Sequence, residues 1–329
     1  MTQPLLTVHD LRVTFETETG PARAVDSVSF TLHAGETLAL VGESGCGKTL
    51  TALSVLQLLP DGGHLAPTSR ITLRDQELTE LAPGTLRGIR GREVAMIFQE
   101  PMAALNPVLR IGDQLAEVVR AHTEASRDEA WQRAVHMLER VGVPDAPLRA
   151  RQYPHELSGG LCQRAMIAMA LLLDPALVIA DEPTTALDVT VQAQVLDVLR
   201  AQRERTGLAL LLITHDLGVV AELASRVIVM YAGQVVEEAP VALLYDSPTH
   251  PYTAGLLAAV PTLDVERERL PDIPGTVPAA TAWPAGCRFR DRCAHAWERC
   301  AIDAPALTQV APAHRVRCHL VDEPERRRA

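Results

Sequence analysis

The sequence predicts an α/β fold in which a parallel sheet is covered by helices on both faces. Three short apolar runs, typical of buried strands, occur at Leu177–Ala180, Ala209–Thr214 and Val227–Tyr231. Helical stretches at Val191–Arg205 and Leu217–Ser225 separate them. Regular alternation of buried strands and helices indicates parallel strands joined by helical crossovers.

The N-terminal part predicts a smaller antiparallel subdomain. Leu11–Phe15 and Val28–Leu32 alternate apolar and polar residues, as half-buried strands do. Thr37–Val41 is continuously apolar, which indicates a buried parallel strand, and a helical stretch follows at Leu50–Leu59. Residues 70–98 are expected to return to strands.

A helical subdomain is predicted at about residues 100–165. Between Pro107 and Gly142, apolar side chains such as Ile111 and Leu115 recur at helical spacing, and a further helix is expected from Ser158 to Leu173. The composition changes near Asp246, after which proline and cysteine are frequent. We therefore predict two regions, residues 1–245 and residues 246–329.

Composition and charge limit the possible functions. The formal net charge is -10, which argues against nucleic acid as a partner because phosphate contacts need a basic face. The longest apolar runs are far shorter than the roughly 20 residues of a membrane-spanning helix. The first residues lack the basic and apolar regions of a signal peptide, so the cytosol is the expected compartment.

A glycine-rich phosphate loop follows the strand Thr37–Val41. Lys48 is the only lysine of the chain and lies in this loop, where an ammonium is expected to reach the β- and γ-phosphates of a nucleotide. The Thr49 hydroxyl is expected to bind Mg²⁺. Cys46 suggests either a redox switch or, as we favour, a small residue whose side chain faces away from the nucleotide. The loop residues are Gly42, Glu43, Ser44, Gly45, Cys46, Gly47, Lys48 and Thr49.

Polar side chains follow two of the predicted parallel strands. Asp181 ends one strand and is expected to orient Mg²⁺, whereas the adjacent Glu182 is expected to act as general base toward the attacking water. His215 follows the next strand and is placed to reach the γ-phosphate, because ligands bind at the carboxyl edge of such sheets.

At this point the sequence resembles the ABC transporter ATPase family. Leu157–Gly160 resembles the family signature, Met96–Gln99 with Pro101 and Leu105–Pro107 resembles the Q-loop, and Thr185–Asp188 resembles the D-loop. The resemblance implies that two ATPase domains sandwich two ATP molecules head to tail.

The resemblance also implies roles for individual residues. Ser158, Gly159 and Gly160 would open a helix toward ATP held by the second domain, in agreement with the preference of helix N-termini for anions. Gln99 would contact Mg²⁺ or the attacking water, and Asp188 would lie at the dimer seam. Phe15 is the candidate for stacking on adenine, with a core strand residue as the alternative. Leu161 and Cys162 replace residues that are more polar in many family members.

The tail resembles that of the oligopeptide and dipeptide importers, whose relatives import nickel. The resemblance rests on His250–Pro261, Gln99–Pro107, Ile273–Pro278 and the cysteine pattern. It implies two membrane-embedded permease subunits, a second ABC ATPase subunit, more often a paralogue than an identical chain, and an external substrate-binding protein. The chain would lie at the cytoplasmic face of the plasma membrane.

Four cysteines fall within the tail. Cys287, Cys293, Cys300 and Cys318 are separated by five, six and seventeen residues, which is not the pattern of a zinc knuckle. Cys₄ ligation from irregular loops favours a [4Fe–4S] cluster, with Zn²⁺ as the alternative and unliganded cysteines as a third interpretation. Arg288, Arg290 and Arg292 would offset the negative charge of a cluster.

Two other functions compete with peptide import. A soluble ABC protein acting on ribosomes or DNA would carry two ATPase cores, long coiled-coil insertions or a basic surface. An ABC exporter would lack this tail. The sequence therefore favours the ATP-hydrolysing subunit of an importer.

Overall fold

A computed structural model describes residues 3–18, 20–185, 187–260 and 272–327. Ala186 in the predicted D-loop and Pro261 at the end of the tail motif lie outside these residues. Within the described part there are thirteen strands and twelve α-helices. The strands are β1 (Leu6–Thr17), β2 (Gly20–Leu32), β3 (Thr37–Val41), β4 (Gly63–Leu65), β5 (Arg70–Leu73), β6 (Gln76–Glu77), β7 (Val94–Ile97), β8 (Leu177–Asp181), β9 (Ala209–Ile213), β10 (Arg226–Tyr231), β11 (Gln234–Pro240), β12 (Thr308–Ala311) and β13 (His314–Val316). The helices are α1 (Lys48–Val55), α2 (Pro83–Ile89), α3 (Pro101–Ala104), α4 (Ile111–His122), α5 (Arg127–Arg140), α6 (Ala146–Arg149), α7 (Gly159–Leu171), α8 (Val189–Thr206), α9 (Leu217–Leu223), α10 (Val241–Asp246), α11 (Pro251–Ala258) and α12 (Glu298–Ile302).

The chain forms two compact units, each built from separate stretches. One contains residues 6–31, 38–79 and 214–329, and the other contains residues 1–5, 32–37 and 80–213. We call them the phosphate-loop unit and the helical unit.

The phosphate-loop unit contains the predicted antiparallel sheet. Its strand order is β2-β1-β5-β6, with β4 beside β1. The alternation of buried residues along β1 shifts phase at Asp10, whose φ of +45° places it in the left-handed region. Val8 and Leu11 are therefore both buried although they are three residues apart. The prediction of an N-terminal antiparallel subdomain is confirmed.

A second sheet of the same unit has the order β12-β13-β11-β10-β3. β3 and β10 are parallel, whereas β10 and β11 form an antiparallel pair. The tail strand β13 pairs with β11, so residues 314–316 extend this sheet. Neither tail strand, β12 or β13, was predicted from the sequence.

Buried tail residues pack on the end of this sheet. The rings of Tyr231 and Tyr252 lie 4.7 Å apart in an edge-on arrangement, and Phe289 lies 5.2 Å from Tyr231. Glu237 is fully buried in β11 and accepts hydrogen bonds from the backbone N–H groups of Thr249 and His250. Because a buried carboxylate needs such donors, these bonds fix where the chain enters the tail.

The helical unit contains a three-stranded parallel sheet in the order β9-β8-β7. Every residue of β8 and β9 is buried, as the apolar runs predicted. Helices α4, α5 and α7 pack on one another beside it. Gly112 is needed because a Cβ there would lie 2.5 Å from the Trp131 ring.

Two predicted elements differ in the structure. Residues 70–98 are not all strands, because Pro83–Ile89 is a helix with proline in its first turn and buried residues Leu86 and Ile89 three positions apart. The helix expected at Leu50–Leu59 begins at Lys48 and ends at Val55.

No described helix combines the length and the apolar character needed to cross a bilayer.

Candidate nucleotide-binding site

The phosphate loop leads from β3 directly into α1. Gly47 is the N-cap of α1, with a φ of 103° and no side-chain cap. Ser44, Gly45 and Thr49 are exposed. The first N–H groups of α1 therefore meet no capping side chain and, with the positive end of the helix dipole, form a site for an anion.

Two loop glycines have no room for a side chain. A Cβ at Gly42 would lie 2.3 Å from the Met230 carbonyl oxygen, and one at Gly47 would lie 2.8 Å from the Ala24 carbonyl oxygen. Both glycines also have positive φ, which other residues rarely adopt. The curl of the loop therefore depends on glycine at these positions.

Lys48 lies inside the curl of the loop. Its Nζ donates hydrogen bonds to the carbonyl oxygens of Gly42 at 2.7 Å and of Glu43 at 3.0 Å, and the residue is 6% exposed. The Cys46 side chain is buried beside it, with Sγ 3.8 Å from Nζ. Burial raises the pKa of the Cys46 thiol, which favours its neutral form. The burial agrees with the favoured interpretation of Cys46 as a small residue facing inward.

His215 lies beside the phosphate loop. It lines a cavity together with Gly42 and Glu43, and Leu256 and Ala259 from the tail form part of the same wall. The following Asp216 accepts hydrogen bonds from the N–H groups of Gly218 and Val219 and so caps α9. This cap fixes the turn in which the exposed His215 lies.

The catalytic candidates of the helical unit lie at the carboxyl end of β8. Glu182 has a φ of +48°, and its N–H donates to the Ile213 carbonyl oxygen at 2.8 Å. Gln99 Nε2 lies 3.3 Å and Thr185 Oγ1 lies 2.9 Å from Glu182 Oε2, and both donate hydrogen bonds to it. The strained backbone and the two donors define where the carboxylate points. The structure thus brings Gln99 and Glu182 within hydrogen-bond distance, and their catalytic roles remain predictions.

Thr185 is a functional candidate to which the sequence analysis gave no role. It lies in the segment that resembles the D-loop, three residues after Glu182. A hydroxyl at that spacing was the only available signal. The hydrogen bond from Thr185 to the Glu182 carboxylate depends on the folded conformation of the loop.

The two residues expected to bind Mg²⁺ each carry an oxygen atom at the end of a secondary-structure element. Asp181 is 2% exposed at the end of β8, and the Thr49 hydroxyl is exposed at the start of α1. Carboxylate and hydroxyl oxygens are the hard ligands that Mg²⁺ prefers, so each residue by itself offers a suitable ligand atom. That both bind one ion remains a prediction.

The predicted signature forms the start of α7. Ser158 is the N-cap, and its hydroxyl accepts the N–H of Leu161 at 3.4 Å. Ser158 and Gly159 are exposed, whereas Cys162 is buried. The neighbouring Gln163 donates to the Pro183 carbonyl oxygen at 2.7 Å, which ties α7 to the residue after Glu182.

Asp188 and Phe15 both have local structural contacts. Asp188 caps α8 by accepting the N–H groups of Thr190 and Val191, each at 3.0 Å. Phe15 is partly buried in β1 and packs on Gly63, where a Cβ would lie 2.9 Å from its ring. The roles of Asp188 at a dimer seam and of Phe15 against adenine remain predictions.

The four tail cysteines line one small cavity. Burial raises the pKa of Cys287 to about 11 and that of Cys318 to about 12, and it also raises the pKa of Cys293. As placed, the thiols do not form a ligand set: among the described residues, no three His, Cys, Asp or Glu side chains are arranged to hold a metal ion. The four cysteines therefore lie around one cavity, and a metal ion or cluster bound by them remains a prediction.

The phosphate loop and the start of the helix that follows it define a P-loop nucleotide-binding protein of the α/β class. Residues 25–185 match the ABC transporter family, and residues 236–300 match the oligopeptide/dipeptide transporter C-terminal region. The chain belongs to the ABC transporter family, as one of its ATP-binding ATPases.

Two relatives are similar in sequence to nearly the whole length of this chain. The oligopeptide transport ATP-binding protein AppD of Bacillus subtilis is 49% identical over 319 residues, which cover 97% of each chain. A Brucella melitensis relative with the provisional name of peptide import ATP-binding protein is 48% identical over 327 residues, which cover 96% of this chain and 97% of that protein.

A solved structure has the same fold at lower identity. An ATP-binding cassette solved as a dimer with ADP and phosphate has a TM-score of 0.64 and 24% identity, and the match covers 72% of this chain and 98% of that one. The predicted fold class and family are confirmed.

Proposed function

We propose that this chain is the ATP-hydrolysing subunit of an ABC importer for di- and oligopeptides. The observation that carries the proposal is the tail, because residues 236–300 match a region named for oligopeptide and dipeptide transporters. Both relatives described above are named for peptide import or transport as well. An importer of nickel or another small ligand is the alternative outcome of the experiment below.

In the proposed reaction, Lys48 and the N–H groups at the start of α1 bind the β- and γ-phosphates. Glu182 accepts a proton from the attacking water, while Gln99 and Thr185 hold its carboxylate. His215 contacts the γ-phosphate from the edge of the loop. Thr49 and Asp181 are the residues that would each supply an oxygen ligand to Mg²⁺, which would neutralise charge on the transferred phosphate when bound.

The exposed start of α7 supports an arrangement in which two ATPase domains share their nucleotides. A Cβ on Gly159 would meet no described atom within 4 Å, so packing within the described residues does not explain the glycine. A glycine at an exposed helix start is suited to close approach by an anion. We therefore assign Ser158, Gly159 and Gly160 to ATP bound by a second ABC subunit, a paralogue in preference to an identical chain.

The remaining partners follow from the import function. Two permease subunits would form the membrane path, and an external binding protein would deliver the peptide to them. The chain would act at the cytoplasmic face of the membrane. Gln99 would couple hydrolysis to the permease through the loop in which it lies.

Transport in cells lacking the chromosomal gene tests this function. Cells supplied with the wild-type chain should take up a labelled tripeptide, whereas cells with Glu182→Gln should not. Glu204→Gln, an exposed carboxylate of α8, is the matched control and should support uptake. Uptake of labelled nickel but not of tripeptide would overturn peptide import and support the alternative.

We further propose that Cys287, Cys293, Cys300 and Cys318 hold a [4Fe–4S] cluster, with Zn²⁺ as the alternative. Their position around one cavity supports this assignment. A metal would have to displace protons from thiols whose pKa is raised by burial. Its role would be to join the loops of the tail.

Metal analysis of the full chain purified without oxygen tests the proposal. A cluster predicts about four iron and four sulfide per chain and broad visible absorption. Replacing the four cysteines by serine should abolish both, whereas Cys162→Ala should not. Zinc without iron would establish the alternative, and neither metal would overturn the site.

A further inference from the structure

The phosphate loop carries a carboxylate, Glu43, that is held by a residue of the tail. Arg292 Nη1 lies 2.6 Å from Glu43 Oε2, and Arg292 Nη2 lies 2.9 Å from Oε1. The two parallel hydrogen bonds form a bidentate guanidinium–carboxylate pair. The Arg292 side chain is 5% exposed and that of Glu43 is 30% exposed, so the pair is largely removed from solvent.

Arg292 is itself fixed from several directions. Its Nε donates to the Pro274 carbonyl oxygen at 2.8 Å, and Nη2 donates to the Ile273 carbonyl oxygen at 3.1 Å. The guanidinium carbon lies 5.7 Å from the Tyr231 ring centre and 6.0 Å from that of Phe289. A lysine cannot make this planar set of contacts.

The backbone of Glu43 is held by a second tail residue. The Glu43 N–H donates to the Tyr252 hydroxyl at 2.8 Å, and Tyr252 is fully buried. Both the side chain and the N–H of Glu43 are therefore bound to residues more than 200 positions later in the chain.

The charge of Glu43 explains why such a contact is needed. A free carboxylate in a loop that binds a triphosphate would repel it, and the repulsion is strong where water is partly excluded. The bidentate pair neutralises the carboxylate and holds it on the tail. The loop then offers the phosphates the ammonium of Lys48 and the N–H groups of α1.

We propose that Arg292 is a positioning residue for ATP binding: through Glu43, the cysteine-containing tail sets the affinity of the phosphate loop for ATP. The tail would thus influence the affinity of this chain for ATP, in addition to any contact it makes within the importer. The proposal rests on the ATP-binding role of the loop.

Nucleotide binding and steady-state hydrolysis by the full chain test the proposal. Arg292→Gln should weaken binding of a fluorescent ATP analogue and raise KM for ATP about tenfold, since the carboxylate is left without its partner. The value of kcat should change less than about twofold because Glu182 and its donors are untouched. Arg292→Lys should fall between wild type and Arg292→Gln.

The double variant separates electrostatic positioning from structural damage. Glu43→Gln combined with Arg292→Gln removes the repelling charge and should restore ATP affinity to within about threefold of Glu43→Gln alone. A merely structural role of Arg292 would not be rescued in this way. Arg326→Gln, an exposed tail arginine paired with Glu323, is the matched control and should bind ATP like wild type.

Two results would overturn the proposal. One is unchanged ATP affinity in Arg292→Gln, and the other is a double variant that binds as weakly as Arg292→Gln. In both cases a wild-type chain that binds ATP leaves the ATPase function intact. A wild-type chain that binds no ATP would overturn that function and the proposal together.

Discussion

At the residue scale, the Glu182 carboxylate depends on neighbours that define its direction. Thr185 Oγ1 donates to Oε2 at 2.9 Å, a shorter contact than that of Gln99. The general base must point at the attacking water, so loss of a donor should reduce the fraction of productive orientations.

We therefore expect Thr185→Val to lower kcat about tenfold while KM for ATP changes little, in keeping with the worth of one hydrogen bond to a charged group. Thr185→Ser retains the hydroxyl and should recover most of the rate. Steady-state ATP hydrolysis measures both values. Equal activity of the valine and serine variants would contradict the role of this bond.

His250 should make the stability of the protein sensitive to acid. The ring is buried, its Nδ1 accepts the N–H of Tyr252, and burial lowers its pKa to about 3. The unfolded chain binds a proton near pH 6.5 and the folded protein does not, so stability is full above pH 6.5 and falls below it.

Between pH 7.5 and pH 5 the free energy of unfolding should fall by about 2 kcal/mol from this group alone. Denaturant unfolding at several pH values measures the change. His250→Asn, which keeps an acceptor at the N-cap of α11, should lose about that much of the pH dependence. A variant with the same pH dependence as wild type would show that another group is responsible.

The sequence allowed a prediction for those site residues whose position follows from a nearby strand. Lys48, Glu182 and His215 each follow a recognisable apolar strand, so their position at a sheet edge could be inferred. Arg292 could not be found in this way, because its partner Glu43 is 249 positions away. In the sequence it was one of three tail arginines with a general charge role.

At the element scale, apolar continuity decided which strands were predictable. β8 and β9 are buried throughout and were placed correctly. β12 is exposed and four residues long, and β13 has three residues, so neither carries a clear alternation. β13 forms because β11 offers it an edge, and β12 then pairs with β13. A local sequence pattern cannot contain that information.

The start of α7 gives a prediction at the same scale. Gly159→Asp adds a side chain where a Cβ meets no described atom, and an acidic residue suits the first turn of a helix. The thermal midpoint should therefore change by less than about 3 °C, because no mechanism of large destabilisation applies. ATP hydrolysis should nevertheless fall more than about tenfold, since the carboxylate would repel the phosphates of the partner's ATP.

Gly84→Asp is the matched control for this variant. Gly84 lies in the first turn of α2, and a Cβ there also meets no described atom within 4 Å. Its activity and its thermal midpoint should both remain close to wild type. A Gly159→Asp chain as active as Gly84→Asp would remove the signature from the ATP site.

At the scale of the whole molecule, the two compact units do not correspond to continuous stretches of sequence. Each compact unit combines stretches that are separated in sequence, and the tail belongs to the unit that contains the phosphate loop. The sequence predicted a tail after residue 245 as a separate region. It could not show that tail residues Tyr252 and Arg292 both hold Glu43, because that contact exists only after the chain has folded.

The shared-ATP arrangement predicts that dimerisation depends on ATP. If two ABC domains close over shared ATP, blocking hydrolysis should preserve the closed pair. Glu182→Gln should therefore form an ATP-dependent dimer, with itself or with its paralogue, while the wild type separates as ATP is consumed. Light scattering after size exclusion, with ATP and with ADP, measures the mass.

Adding Gly159→Asp to Glu182→Gln should abolish the dimer, whereas adding Gly84→Asp should not. A Glu182→Gln chain that binds ATP but stays monomeric, alone and with the paralogue, would contradict the shared site, because tight binding without closure means that the start of α7 does not contact a partner's nucleotide.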